Sequence, residues 1–378
     1  TGVRITDVEV IELRAPALPD DVLDGAPVAC LVRVRTDSGL VGIAEVDSTP
    51  PVIRAIIDPP RASAFWPSLK SVVLGQDPTD PPALWERMYE ATHMYGRRGV
   101  VIHAMSGIDI ALWDIKGKAE GKPLAALIGT PVRDSARAYA TITRLTQDPD
   151  TIRRRIDAGL KRGARGIKVC SEPEWSDNPS LAETVLRVAR AHVGEDTALM
   201  LDVFAAWRSA DQVLPLMPLF REMRLAWLEA PLPMDDLNGF ARLHGHGVPI
   251  AGGDMGLTTR FEFEPMIERG RADIVQPDAT YVGGLTEMRR IAGLARRHGR
   301  RLIPHGYRSN ILVATNLAFL ASHDADEWLE YSVANSPLRW DLTREQLPIG
   351  ADGRVRVPQG PGLGVTLDEA AVARLKVS

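Results

Sequence analysis

The chain has 378 residues, 45% hydrophobic and 25% charged, enough for one barrel of roughly 250 residues and a second domain beside it. Its 45 Lys and Arg against 49 Asp and Glu give a net charge of −4 with mixed signs, which excludes a basic nucleic-acid-binding face. Two distant cysteines, Cys30 and Cys170, exclude a disulfide framework and a spaced zinc site; with no long uncharged apolar run and no signal-like start, the expected setting is soluble and cytoplasmic, without membrane partners.

Residues 4 to 13 alternate as a strand, and Ala29 to Val46 reads as a hairpin turning at Asp37, Ser38 and Gly39. A Pro-rich stretch runs from Thr49 to Pro60. Helical spacing follows: Ala104, Ile108, Leu112 and Ile115 form one apolar stripe on a helix that stops near Gly117 and Gly121. Residues 1–125 therefore read as an α+β domain.

From about Ala136 short β-rich runs alternate with helical ones, the pattern of parallel βα units. Eight strands are predicted near 136–142, 166–170, 198–204, 225–231, 249–254, 273–278, 301–306 and 327–332. A helix is predicted over Leu181–His192, after Asn178 and Pro179 and before Gly194. Residues 126–345 are thus expected to form a (β/α)₈ barrel. The Gly- and Pro-rich tail, 346–378, is expected to carry no further strand–helix pair and to return to the N-terminal domain.

From the second strand on, each run ends on a chemically loaded residue. They are Lys168 (GIKVC), Asp202 (LMLDVF), Glu229 (AWLEAP), Asp254 (PIAGGD), Asp278 (IVQPD), His305 (RLIPHG) and Glu330 (EWLEYS), spaced 24 to 34 residues apart. In a barrel those strand ends converge on one face, so an enzyme is expected.

Asp202, Glu229 and Asp254 close three consecutive strands, where three like charges would repel by several kcal/mol and raise one another's pKa. A divalent cation removes that penalty, and an all-oxygen ligand set favours Mg²⁺; the alternative is that each acid is a surface or helix-capping residue. Lys168 either binds a substrate carboxylate, moves a proton with a lowered pKa, or is a solvated strand cap. Asp278 can hold the His305 imidazole in one tautomer, or the two make a structural hydrogen bond. Glu330 either hydrogen-bonds the developing intermediate as a protonated acid or faces the barrel rim. A proton alpha to a carboxylate is too weakly acidic for a neutral His to remove unaided. Mg²⁺ and Lys168 would neutralise the enediolate charge as it forms, so the expected step is proton abstraction alpha to a carboxylate, with His305 as base.

The ordered set IKV, LDV, LEAP, GGD, QPDATYVGG, PHG and WLE, with GIDIALWDIKGKAEGKPLAALIG before the barrel, resembles the enolase superfamily, and within it the mandelate racemase subgroup. The resemblance covers nearly the whole chain. It implies an α/β TIM barrel in the modified (β/α)₇β form under an α+β capping domain, whose loops Leu18 to Ala26 and Asp47 to Val52 cover the barrel mouth. It assigns metal binding to Asp202, Glu229 and Asp254, carboxylate contact to Lys168, and the acid/base dyad to Asp278 and His305. It also implies a homo-oligomer, dimer or octamer, acting on a small carboxylate.

Three positions depart from the commonest pattern of the subgroup. Cys170 stands where a second Lys is common, Phe204 where a metal-proximal Asn is common, and Asp254 where the third ligand is usually Glu. Cys170 is either a packed small hydrophobe or a thiolate near the metal. Without a second Lys only the His305 face keeps a strong base unless Lys168 itself serves, and a one-sided site suits elimination over racemisation. The expected activity is that of a Mg²⁺-dependent acid-sugar (aldonate or aldarate) dehydratase, giving a 2-keto-3-deoxy acid. The alternatives are a racemase or epimerase, a sugar-lactone or anhydro-acid cycloisomerase, and a decayed barrel kept as a binding or structural protein.

Overall fold

A computed structural model describes residues 2–16, 27–59 and 63–377; the expected capping loop Leu18 to Ala26 lies outside the described residues. The chain opens with a three-stranded antiparallel sheet in the order β1 (Ile5–Arg14), β2 (Val28–Thr36), β3 (Val41–Val46). Helices Pro50–Ile57, Pro81–Thr92 and Val100–Glu120 pack behind it. The first of these lies inside the Pro-rich stretch. Pro50 and Pro51 occupy its first turn, where a missing N–H interrupts no helical bond, and Ile53 and Ile57 turn inward.

Eight parallel strands follow: β4 (Ser135–Ile142), β5 (Gly166–Cys170), β6 (Ala198–Asp202), β7 (Leu225–Glu229), β8 (Ile250–Gly252), β9 (Ile274–Val275), β10 (Arg301–Leu302) and β11 (Trp328–Ser332). Their order in the sheet, β10-β9-β8-β7-β6-β5-β4-β11, is a sheet curling around an axis. Seven helical connections join successive strands, and β11, the last of them, is followed by the single turn Pro337–Trp340. The barrel is of the (β/α)₇β type.

Inward-facing side chains fill the barrel below its C-terminal mouth. Tyr139, Met200, Trp227, Ala251, Ile274, Ile303 and Trp328 form a separate apolar cluster, with Tyr139 edge-on to Trp227 at 5.3 Å. Burying each large ring contributes roughly 1.5–3 kcal/mol, and this plug leaves the polar side chains only the upper layer.

Helices Pro81–Thr92 and Val100–Glu120 fasten the N-terminal elements to the barrel. The Trp113 indole N–H donates to Thr286 Oγ1 (2.9 Å), and the Trp85 indole N–H to the Gly283 carbonyl (2.9 Å). Buried Asp109 accepts from the Thr286 amide (3.0 Å) and hydroxyl (2.6 Å), a carboxylate at the N-terminus of helix Gly284–Arg297. Gly284 permits this approach: its φ is +82°, and a Cβ there would lie 2.3 Å from Asp109 Oδ2.

The tail carries a short strand and a helix that its composition did not predict. It contributes β12 (Arg354–Arg356), antiparallel to β4, and then helix Glu369–Leu375, after which Lys376 bridges to Leu13 of β1. A three-residue strand shows no periodicity of its own; its partner defines it. No helix of the described residues is long and apolar enough to cross a membrane.

Candidate active site

Strand register sets the acidic row. Cys170 pairs with Asp202, and Asp202 with Glu229, so residues 32 and 27 apart in sequence become lateral neighbours at the C-terminal ends of β5, β6 and β7. Asp254 lies just beyond β8, reached through Gly253, whose φ is +111° and where a Cβ would sit 2.4 Å from the Phe263 ring. Only glycine fits that bend. One oxygen from each of Asp202, Glu229 and Asp254 lies within 4.8 Å of the others, and all three residues are buried.

Each carboxylate is partly held. Asp202 Oδ1 accepts from the Phe204 amide (2.9 Å), and Glu229 Oε2 from the Trp227 indole and the Gln276 amide (both 2.8 Å). Asp254 Oδ1 is buried with no hydrogen-bond partner. Burial, and then the charge of Glu229, drives Asp202 well above the usual carboxylate range and Asp254 up to about 7. The Lys168 ammonium faces Glu229 (2.6 Å), Glu330 (2.9 Å) and Asp202 (3.6 Å), while Asp254 makes no ion pair among the described residues. One ammonium cannot neutralise these acids. An orphaned oxygen in a net-negative, all-oxygen cluster fits a divalent cation.

Lys168 is not a solvated cap. It is buried; burial opposes its charge, but Glu229 and Glu330 outweigh that and raise its pKa well above normal. Glu330 does not face the barrel rim. It is buried below the rim, accepts from Thr141 Oγ1 (2.5 Å) and the Gly306 amide (2.8 Å), and, although burial opposes ionisation, Lys168 and His305 hold it ionised with a pKa of about 2.

Asp278 and His305 meet as an isolated parallel bridge just past β9 and β10. His305 Nδ1 lies 2.7 Å from Asp278 Oδ2, and Nε2 is 3.9 Å from Glu330 Oε2. Burial works against the imidazolium, but Glu330 and the Asp278 hydrogen bond overcome it and raise the pKa to about 10. Cys170 is fully buried, and burial, then Asp202, pushes its thiol well above the normal value. Phe204 is 42% exposed beside Asp202, in the left-handed region at φ +52°.

All seven strand-end residues therefore come together. Sequence reasoning passed over Thr141, Trp227 and Gln276, which hold Glu330 and Glu229, and Thr280, whose amide and hydroxyl both donate to Asp278 Oδ1 (2.6 and 2.7 Å). The period of two would have found Trp227 and Gln276, each two residues before a strand-end acid. The Asp47 side of the expected capping region meets the barrel through an ion pair with Arg308 and a bond from its amide to Thr280 Oγ1 (3.1 Å).

A capped (β/α)₇β barrel with a carboxylate triad beside a His–Asp pair at its strand ends defines a member of the enolase superfamily. The chain belongs to the mandelate racemase subgroup: residues 151–371 match the enolase C-terminal domain-like family, and residues 24–129 the mandelate racemase/muconate lactonizing enzyme N-terminal domain. It is 30% identical over 357 residues to D-galactarolactone cycloisomerase of Agrobacterium fabrum, covering 92% of this chain and 91% of the relative. L-talarate/galactarate dehydratase of Salmonella typhimurium is 34% identical over 303 residues, 79% and 72% of the two chains. The crystal structure of the 3,6-anhydro-D-galactonate cycloisomerase from Zobellia galactanivorans superposes with a TM-score of 0.88 at 26% identity, covering 99% of this chain and 100% of the other.

Proposed function

We propose that this protein is a Mg²⁺-dependent acid-sugar dehydratase, with residues 126–345 as catalytic barrel and residues 1–125 and 346–378 as cap. The observation that carries this reading is its one-sided acid/base equipment. His305 presents Nε2 with Nδ1 held by Asp278, while the opposite candidate, Cys170, is a buried thiol whose ionisation is suppressed. Racemisation needs a competent group on both faces of the carbon; elimination needs one.

Asp202, Glu229 and Asp254 would hold the ion, and Lys168 would meet the substrate carboxylate. When bound, Mg²⁺ would supply Lewis-acid neutralisation of that carboxylate's growing charge and positive potential that draws the His305 pKa down from about 10. His305 Nε2 takes the alpha proton, and the C–H electron pair becomes the enediolate double bond. Collapse of the enediolate expels the beta hydroxyl, which takes its proton from the His305 imidazolium and leaves as water. The remaining enol tautomerises to a 2-keto-3-deoxy acid. Lys168 and Glu330, 2.9 Å apart, fix one another, so the ammonium stays charged and aimed.

Cycloisomerisation of a sugar lactone or anhydro acid is the second reading. It also needs one strong base, and two relatives similar over more than nine-tenths of this chain carry such activities in their names. A panel of aldonic, aldaric, lactone and anhydro acids with Mg²⁺ separates the two. Water loss with a 2-keto product supports dehydration, whereas an isomeric product without water loss supports cycloisomerisation. Solvent deuterium in recovered substrate without keto product would overturn both in favour of epimerisation.

A further inference from the structure

The end of β3 grips both loops that carry the dyad. Glu45 accepts from the Ser309 amide (3.1 Å) and hydroxyl (2.6 Å), and Asp47 pairs with Arg308, both in the loop just after His305. The Asp47 amide donates to Thr280 Oγ1 (3.1 Å), in the loop just after Asp278. A hydroxyl has one hydrogen. Because Thr280 Oγ1 accepts from Asp47, its own hydrogen goes to Asp278 Oδ1 (2.7 Å), where the Thr280 amide also donates (2.6 Å). With Oδ1 doubly pinned, Asp278 Oδ2 faces His305 Nδ1 at 2.7 Å and the Nε2 of the neutral ring is left free. The Tyr281 ring, stacked on His305 at 6.1 Å and packed on His103 at 4.9 Å, closes the same junction.

We infer that Asp47, Arg308 and Thr280 are positioning residues which relay the docking of the N-terminal sheet to the His305 ring. The base is then set in its working tautomer only while β3 is seated on the barrel. This rests on His305 being the base, yet it concerns ring geometry, which is measurable without a substrate. The Arg308–Asp47 pair places the Asp47 amide, that amide orients the Thr280 hydroxyl, and the hydroxyl fixes Asp278.

The test uses the full chain labelled with ¹⁵N-histidine, the His305 signal being assigned with His305→Gln. Ring nitrogen shifts are followed through the titration, and kcat and KM are measured on whichever acid is turned over. The neutral ring is expected as a single Nδ1–H tautomer in the parent chain and in Thr280→Ser, which keeps the hydroxyl. Thr280→Val and Arg308→Met should each show a mixture of tautomers. Thr280→Val should lower kcat roughly tenfold with KM within about twofold, and Arg308→Met should add little in the Thr280→Val background, as expected of residues acting in series. An unchanged tautomer in Thr280→Val, equal losses in Thr280→Ser, additive losses in the double variant, or an effect carried by KM would each overturn the relay. If Thr280→Val fails to fold, Arg308→Met carries the same tautomer test. A tautomer shift in a chain that acts on no sugar acid would leave the relay standing and remove the dehydratase reading.

Discussion

Replacing Asp254 by Asn separates the electrostatic cost of the triad from its capacity to hold a cation. Without metal, burial and Glu229 raise the Asp254 carboxyl from 3.8 to about 7. Between those pH values the folded state keeps a proton that the unfolded state has released, so stability falls as pH rises through the window and the loss is complete above about pH 7. Roughly three pH units at about 1.4 kcal/mol each give on the order of 4 kcal/mol. Asp254→Asn carries no such charge. In urea denaturation with a chelator it should match the parent chain near pH 4 and exceed it at pH 8, by up to about that amount. Mg²⁺ at a hundred times its dissociation constant should restore roughly 2.7 kcal/mol to the parent chain and far less to the variant. A metal-free variant less stable than the parent chain at pH 8, or an equal response of both to Mg²⁺, would refute the reasoning.

Lys168→Met leaves Glu229 and Glu330 facing one another without their ammonium and should cost about 3–5 kcal/mol in the metal-free protein, read from the urea midpoint. Asp278→Asn should lower alpha-proton exchange on a turned-over acid by roughly 10²–10⁴-fold, measured by mass spectrometry in D₂O, with the fold intact by circular dichroism. Phe204→Asn relieves a left-handed φ of +52° at a half-exposed ring and should stabilise the chain by about 1 kcal/mol, checked by thermal denaturation. Trp113→Phe removes the indole bond to Thr286 and should cost about 1 kcal/mol, visible in urea unfolding.

The barrel rhythm was legible because each strand writes a short β-rich run and each helix a 3.6-residue stripe, so even the two-residue strands β9 and β10 fall inside predicted windows. The helix Pro50–Ile57 was missed because two prolines at its start read as a breaker from composition alone, whereas their position in the first turn makes them compatible with helix. β12 was missed because its three residues are ordered by pairing with β4, 217 positions from Arg354 to Arg137 in sequence.

In the site, residue type and phase along the strands were enough to gather Asp202, Glu229, Asp254, Asp278 and His305, because the C-terminal ends of neighbouring parallel strands in a curled sheet lie on one face. The charge states of Lys168 and Glu330 were beyond the sequence. They follow from 2.9 Å of separation in a buried layer, where partner geometry decides which form of each group survives. Likewise, nothing in the letters connects Asp47 to Thr280, because that contact joins an antiparallel sheet edge to a barrel loop 233 residues away. Sequence determined which groups the strand tips carry, since local periodicity is written residue by residue. Only the tertiary structure decided how those groups hold one another, because hydrogen bonds and ion pairs depend on distances that no local pattern encodes.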